Sequence, residues 1–510
     1  MIISKVSSFV KTIFLLLVFI RPFWGSSEPS SHWFFLLLLL LLLLLLSFFQ
    51  QKIYKTSIDP FLFLFVLFVI IGIFKSFSKY EAIEVGCQFL SYFLIYYLIV
   101  QYQLNEKIVK FVVLSSCLLI CLYGIYQYFF GLAETRRFVQ IYSLSPLFSE
   151  RLSSDRIFST FVYPNSLAGY LVLVFPLVLS IKNRLIFLLL SVTILYTLWL
   201  SHSRGGIITL FFTIVLFFLL RKKRLFVIIS VGLFFITAVY YSIPPPSSLL
   251  ARLSYWRVSV DIIKDNPLGC GLSTFPSMYF KYKKFGDEGT RNAHNDYIQL
   301  GVELGIFGAI SFIILFIFSA IKGMKLARDN PSIEGFYIGA MAFFFHSTVE
   351  FLLYLPEISL VFFLFLSMVF KCERKEAKKT MIFSIILPIP IIILSIYSYK
   401  MMNASNFYEK AMAHLFVNEY EDAEISLSKA VLKNPNNPEW LVILGNMKEK
   451  KGKYDEAYSL YRKAVLLNPY FPYYNFYLER LLVKTKDKEG PFFLNKACSL
   501  YPGSTEKSQK

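Results

Sequence analysis

Apolar residues occupy long blocks along most of the first 400 positions, separated by short polar stretches rich in Lys and Arg. A bilayer core takes about 20 apolar residues per helix. On that criterion the pattern predicts about 12–13 transmembrane helices, near 9–24, 33–49, 59–75, 86–102, 108–130, 160–181, 184–201, 206–220, 225–243, 296–320, 334–353, 356–371 and 380–399. The segment Lys5 to Phe23 starts basic and turns apolar, as a signal peptide does. Arg21, Pro22 and Trp24 then stand where small cleavage-site residues belong, so it reads as an uncleaved first span. The second block contains Leu36 to Leu46 without interruption, which supplies insertion energy and no chemistry.

Beyond Asn403 the pattern changes to that of a soluble helical domain and repeats at 34 residues. Tyr420, Ala423, Ala430, Asn434 and Pro435 recur as Tyr454, Ala457, Ala464, Asn468 and Pro469, and Ala411 corresponds to Gly445. Trp440, Leu441, Gly445, Tyr454, Ala457, Tyr461, Ala464 and Pro469 follow the tetratricopeptide pattern, whose small residues let paired helices approach closely. A degenerate third copy ends near Lys496, Ala497 and Pro502. The expected fold is therefore all-α: a polytopic helix bundle over 1–400, and a short α-solenoid over 401–510 that binds a peptide or another subunit, or serves as a spacer.

Composition supports a membrane class. The chain is 56% hydrophobic and 17% charged, against about 45–50% and 25% in soluble proteins. The formal charge of +19 lies largely beside apolar blocks and reads as topogenic rather than nucleic-acid binding. Arg221-Lys-Lys-Arg224, Lys322 to Arg328 and Lys371 to Lys379 mark one side. Alternation puts Lys5, Lys11, Lys52, Lys107, Lys110, Lys182 and Arg184 with them, and 132–158, 202–205, 244–295 and everything after 400 on the opposite, extracytoplasmic side. The six cysteines form no CxxC and imply neither a metal cluster nor a disulfide framework.

The outer loops nevertheless carry Arg136, Arg137, Arg151, Arg156, Arg252, Arg257 and Arg291, which topology does not explain. Guanidinium forks bind phosphate oxygens bidentately, so an anionic phosphate ligand would account for them. Arg204 opens the eighth span, and Gly205 and Gly206 allow close approach to the backbone there; snorkelling to the interface is the plainer alternative. Arg156 introduces a stretch in which Pro164 and Asn165 predict a broken helix start, and Arg252 and Arg257 open an amphipathic helix ended by Asn266-Pro-Leu-Gly-Cys-Gly271. Of five histidines, His32, His202, His346 and His414 are demoted by their settings, His346 because it sits inside a span.

His294 stands in Arg291-Asn-Ala-His-Asn-Asp-Tyr297, just before the tenth span, where Asn295 or Asp296 is expected to cap a helix. The partial positive charge of that terminus favours a neutral imidazole able to act as a base; a solvated loop histidine is the alternative. Asp296, Gln299 and Glu303 share one helical face directed into the bundle, where they could orient an acceptor or line a hydrated groove. His346 and Glu350, four residues apart, form a second polar pair, with a buried structural hydrogen bond at least as good an explanation.

Taken in order, Arg156 to Ala168, Ser203-Arg-Gly-Gly206, Arg252 to Gly271 and His294-Asn-Asp-Tyr-Ile-Gln299 resemble the O-antigen ligase and polymerase superfamily over roughly residues 60–370. The resemblance implies a GT-C-like membrane fold in a bacterial inner membrane. It implies transfer of an undecaprenyl-pyrophosphate-linked glycan to an acceptor hydroxyl with inversion, without a metal, nucleotide sugar or other cofactor. By the same resemblance His294 is the base, and Arg204 with Arg252 or Arg257 holds the pyrophosphate; Arg156, Asn165, Arg291, Asn295, Asp296 and Gln299 are further substrate-binding candidates. Ligases, polysaccharide polymerases and protein O-oligosaccharyltransferases share these residues. Two other classes compete. A transporter would show inverted repeats and midplane charges, whereas the polar clusters here lie at span ends. A membrane-anchored scaffold would act through its repeats and an envelope protein partner.

Overall fold

The computed structural model describes residues 2–23, 37, 39–41, 53–141, 155–223, 247–284, 287–377 and 388–485. The expected span at 225–243, most of that at 33–49, His32, Arg151 and the third repeat's Lys496 to Pro502 lie outside the described residues. The described residues form helices, plus one small antiparallel sheet of β1 (Ile53–Lys55) and β2 (Lys375–Ala377).

Helices α1 (Ile2–Ile20), α2 (Asp59–Lys75), α3 (Lys79–Tyr102) and α4 (Glu106–Tyr126) come first; a π turn at Gln127–Gly131 leads into α5 (Leu132–Ile141). Then follow α6 (Pro164–Val178), α7 (Arg184–Leu200), α8 (Arg204–Leu220), α9 (Ser247–Asp265), α10 (Phe275–Tyr282), α11 (Asp296–Asp329), α12 (Glu334–His346) and α13 (Pro356–Phe370). Their starts are chemically marked. Asn105, Asn183, Ser203 and Asn295 each accept backbone N–H groups of the first turn, satisfying donors that a helix leaves open. Pro164 and Pro356 occupy first-turn positions where no amide donor is needed.

By length and composition, three described helices can cross a membrane: Lys79–Tyr102, Glu106–Arg137 and Asp296–Asp329. Helices α6, α7 and α8 are apolar but shorter. The difference from the uniform spans expected from hydropathy has a local cause. Helix α12 ends at His346, and the chain continues through a buried turn and the 3-10 segment Leu352–Tyr354 before α13 starts. Helices α6, α12 and α13 are buried on almost every side and form the centre, with α12 packed on α6, α8 and α13, and α13 on α3. Helix α7 instead exposes Leu185, Leu188, Leu189, Val192 and Trp199, an apolar face suited to lipid.

Helix α11 is interrupted at Gly305, whose φ of 78° is non-helical. The Asn266-to-Gly271 loop fills the break: Ile306 N–H donates to Pro267 O, Cys270 N–H to Val302 O and Gly271 N–H to Glu303 O, each at 2.9 Å. Backbone groups freed by the kink are thus satisfied by a second segment, as an apolar surrounding demands.

The two ends of the bundle differ. At one end Arg221 pairs with Glu334 at 2.7 Å, Lys322 with Glu373 at 3.1 Å and Lys371 with Glu106 at 3.4 Å. Those are the residues of the basic runs that the charge pattern grouped together. The other end carries the starts of α8 and α11, the end of α12, and α9 and α10.

Helix α14 (Pro388–Phe416) runs without a break through residue 400 into the tail, followed by α15 (Tyr420–Lys433), α16 (Pro438–Lys450), α17 (Tyr454–Leu467) and α18 (Pro472–Lys484). Helix α14 packs on α15, and α16 on α17. A Cβ at Gly445 would meet the Tyr461 ring at 2.6 Å, so the close approach of α16 and α17 requires a glycine there. The tail rests on the second end of the bundle. Ser277 Oγ donates to Asn468 Oδ1 at 2.9 Å, and the rings of Phe77 and Tyr470, Tyr80 and Trp440, and Phe280 and Phe471 meet at centroid distances of 5.7, 6.1 and 6.2 Å.

Candidate functional site

His294 lies immediately before α11, with a left-handed φ of 49°. Its neighbour Asn295 caps the helix, accepting from Ile298 N–H at 3.1 Å, and its amide donates to Thr348 O at 2.8 Å. Asp296 N–H donates to Ser347 O at 2.9 Å. These contacts pin the start of α11 against the turn that follows α12. The same turn carries Glu350.

Glu350 is buried and spans two partners. Its Oε1 accepts from His294 Nδ1 at 2.5 Å, and its Oε2 from Arg252 Nη2 at 3.1 Å. The carboxylate therefore joins α9, the 291–295 loop and the turn after α12. The His294 side chain remains 29% exposed, leaving its second ring nitrogen free to face solvent or a ligand. The ring stands edge-on to Phe351 at 5.1 Å and roughly parallel to Tyr255 at 6.1 Å. Trp256 Nε1 donates to Ala293 O at 3.0 Å and fixes the loop from the other side.

Arg156 Nε donates to Ser201 O at 2.9 Å and its Nη2 to Asn165 Oδ1 at 2.8 Å, which ties the 155–163 segment to the start of α6 and the end of α7. Burial lowers the pKa of the Arg156 guanidinium; Glu350 opposes that, and Arg252 and Arg204 add to it. Arg252 and Arg204 thus both lie within electrostatic reach of Arg156, and Glu350 lies within reach of Arg156 and Arg252. Such an excess of cationic charge is suited to an anionic ligand.

His346 is fully buried, its Nδ1 2.8 Å from Thr209 Oγ1, and Thr209 donates onward to Gly205 O. A Cβ on Gly205 would stand 3.3 Å from both the His346 ring and Val349. The glycine after Arg204 accordingly lets the start of α8 lie against the end of α12.

Other sequence candidates are used differently. Arg257 pairs with Asp287 at 2.9 Å on an exposed flank, and hydrogen bonds from Lys284 N–H, Ser254 and Arg257 hold the Asp287 carboxyl below its usual range although burial acts upward. Arg291 lies over the Phe471 ring of the tail, 5.8 Å from its centroid. Asp296 accepts from Leu353 N–H at 3.0 Å, and Gln299 Oε1 accepts from Ala293 N–H at 3.0 Å. Glu303 accepts from Ser273 N–H and Tyr354 Oη, both at 2.9 Å. Asp296, Gln299 and Glu303 on the inward face of α11 thus bond neighbouring backbone, Asn292 and Tyr354, with Asp296 Oδ1 left without a partner among the described residues. His414 pairs with Glu419 at 2.7 Å within the tail.

Sequence reasoning singled out neither Trp256, Thr209 nor the Ser201 carbonyl. Trp256 is the only one with a signal, its position between the two loop arginines on α9.

Comparison with the curated proteins finds no match. Residues 186–313, which contain Arg204, Arg252 and His294, match the family model described as O-antigen ligase, so this stretch of a chain with three helices long and apolar enough to cross a membrane is similar to the O-antigen ligase superfamily.

Proposed function

We propose that the protein is an O-antigen ligase-like glycosyltransferase that moves a polyprenyl-pyrophosphate-linked glycan onto an acceptor hydroxyl on the extracytoplasmic face of a bacterial inner membrane. The observation that carries this reading is the convergence of His294, Arg252 and Arg156 on Glu350 at one end of the bundle, two of the three lying inside the family-matched stretch.

In this reading His294 takes the proton of the acceptor O–H, and the acceptor oxygen attacks the anomeric carbon. The bond from that carbon to the pyrophosphate oxygen breaks, its electron pair leaving with the pyrophosphate, and displacement from the opposite face inverts the centre. Arg204, Arg252 and Arg156 bind the growing negative charge, which lowers the barrier where charge develops. Of the two loop arginines, Arg252 is favoured over Arg257 because it faces Glu350 and His294 rather than an exposed aspartate. Asn165 holds Arg156, and Asn295 holds the loop that presents His294. The tail is proposed to be a tetratricopeptide module with a peptide or envelope-protein partner, on the same side as the site.

The test is His294→Ala in cells lacking the chromosomal gene. Transfer is expected to fall by about 10²–10⁴-fold, the usual contribution of a positioned base, with membrane insertion intact; undiminished transfer would sink the reading. The gene deletion itself identifies the acceptor. Unattached polymer points to a ligase, single-unit glycan to a polymerase, and loss of protein-linked glycan to a protein O-oligosaccharyltransferase.

A further inference from the structure

Glu350 is a buried charge beside the base with no part in the transfer step. Glu350 sits in the turn after α12, its side chain only 3% exposed, and neither of its oxygens faces open solvent. A carboxylate in that position is costly unless it is paired and hydrogen-bonded. Both partners come from other elements: His294 is 56 residues away in the chain, and Arg252 is 98 residues away. The turn is itself held, since Thr348 O and Ser347 O accept from Asn295 Nδ2 and Asp296 N–H.

An ionised carboxylate can only accept. His294 therefore has its Nδ1 hydrogen directed at Glu350, and a neutral ring then carries its lone pair on Nε2. Phe351 closes the edge of the ring and Tyr255 lies along its face, so rotation about the side chain is restricted.

We propose that Glu350 is a positioning residue that fixes the tautomer and orientation of His294, so that Nε2 is the atom that accepts the proton from the acceptor hydroxyl. The proposal rests on the base assignment given above for His294. Arg252 enters as the second partner of the same carboxylate: it keeps Glu350 ionised and aimed at His294, and it presents its remaining N–H groups to the donor phosphate. When the acceptor oxygen attacks, the proton moves to Nε2. The imidazolium so formed is stabilised by Glu350 until it releases that proton to water, and no proton passes to the carboxylate.

The test compares wild type, Glu350→Gln, His294→Ala and the double variant at matched membrane levels. Glutamine is almost isosteric, but its amide can donate to Nδ1 and so place the ring hydrogen on Nε2. Transfer of the cell's own surface glycan is expected to fall at least about tenfold in Glu350→Gln; in a protease with the same carboxylate–imidazole arrangement a mis-set tautomer costs about 10⁴-fold. In the His294→Ala background the second substitution should add nothing, because Glu350 acts through His294.

A substrate-free readout accompanies it. Diethyl pyrocarbonate acylates the unprotonated ring nitrogen of a neutral histidine, and peptide mass spectrometry of the solubilised protein follows His294 against His414 as internal control. Glu350→Gln should slow labelling of His294 several-fold and leave His414 unchanged. Unaltered His294 labelling, or a further loss of transfer when Glu350→Gln is added to His294→Ala, overturns the proposal. Wild-type transfer by His294→Ala would instead overturn the base assignment, and the labelling would still decide whether Glu350 sets the ring. Should Glu350→Gln not reach the membrane, Glu350→Asp keeps the charge and withdraws it by one methylene, and the same labelling comparison decides.

Discussion

Arg252 and Arg257 lie one and a half turns apart on α9, and sequence alone does not separate them. Their partners do. Arg257 is 52% exposed beside Asp287, and an exposed ion pair contributes about 0–1 kcal/mol. Arg252 bonds a buried carboxylate, and a hydrogen bond to a charged group contributes about 1.5–3 kcal/mol. Arg252→Ala is therefore expected to lower glycan transfer by about tenfold or more, and Arg257→Ala to leave it within about twofold, both read from product formed per unit of membrane protein; the opposite order would move the phosphate site to Arg257. A second residue makes a pH prediction in the tail. Burial raises the Glu479 carboxyl to about 7, and its Oε2 has no hydrogen-bond partner among the described residues. An acid raised above its unfolded value binds more protons folded than unfolded between about pH 4.5 and 7, so stability declines as pH rises through that window. Glu479→Gln should flatten this decline and raise the tail's melting temperature at pH 8 but not at pH 4, as followed by thermal unfolding.

At the scale of elements, the features legible in the sequence are those set by neighbours along the chain. A cap at Asn295 or Asp296, of which α11 uses Asn295, Pro164 at the start of α6, the end of α9 at Asp265 and the grouping of the basic runs all follow from local chemistry. Hydropathy does not report which apolar helices are central, because α6 and α7 read alike while one is enclosed and the other exposes its leucines. The Glu350 bridge also escapes it, since its partners are 56 and 98 residues distant. The break in α11 is similarly hidden, as a glycine in an apolar run has no signature of its own. In the structure Gly305 has a φ of 78° and a Cβ there would stand 2.4 Å from the Leu268 carbonyl carbon. Gly305→Ala should cost about 1–3 kcal/mol by forcing the 266–271 loop away, a loss visible as a lower melting temperature in detergent.

Across the whole molecule the chemistry and the tail share one end of the bundle, yet the His294–Glu350–Arg252 group contains no tail residue. Among the described residues the tail reaches it at second hand, through Arg291 over Phe471, through Phe280 and Ser277 of α10, and through Tyr470 packed on the cluster that includes Tyr255. Arg291 stands three residues before His294, so the tail braces the loop that presents the base without entering the site. Phe471 is only half-buried, and its loss should cost less than the roughly 3–5 kcal/mol of a fully enclosed phenylalanine. Phe471→Ala is therefore expected to leave glycan transfer within several-fold of wild type while the loop around Lys284 and Arg291 opens more often. A change of about 1.4 kcal/mol in local opening corresponds to about tenfold faster cleavage when opening is rapid. Limited trypsin digestion of the solubilised protein measures it directly, because Lys283, Lys284 and Arg291 lie in that loop. Faster cutting there with transfer preserved would separate bracing from catalysis; abolished transfer with unchanged cutting would mean that the tail supplies part of the site.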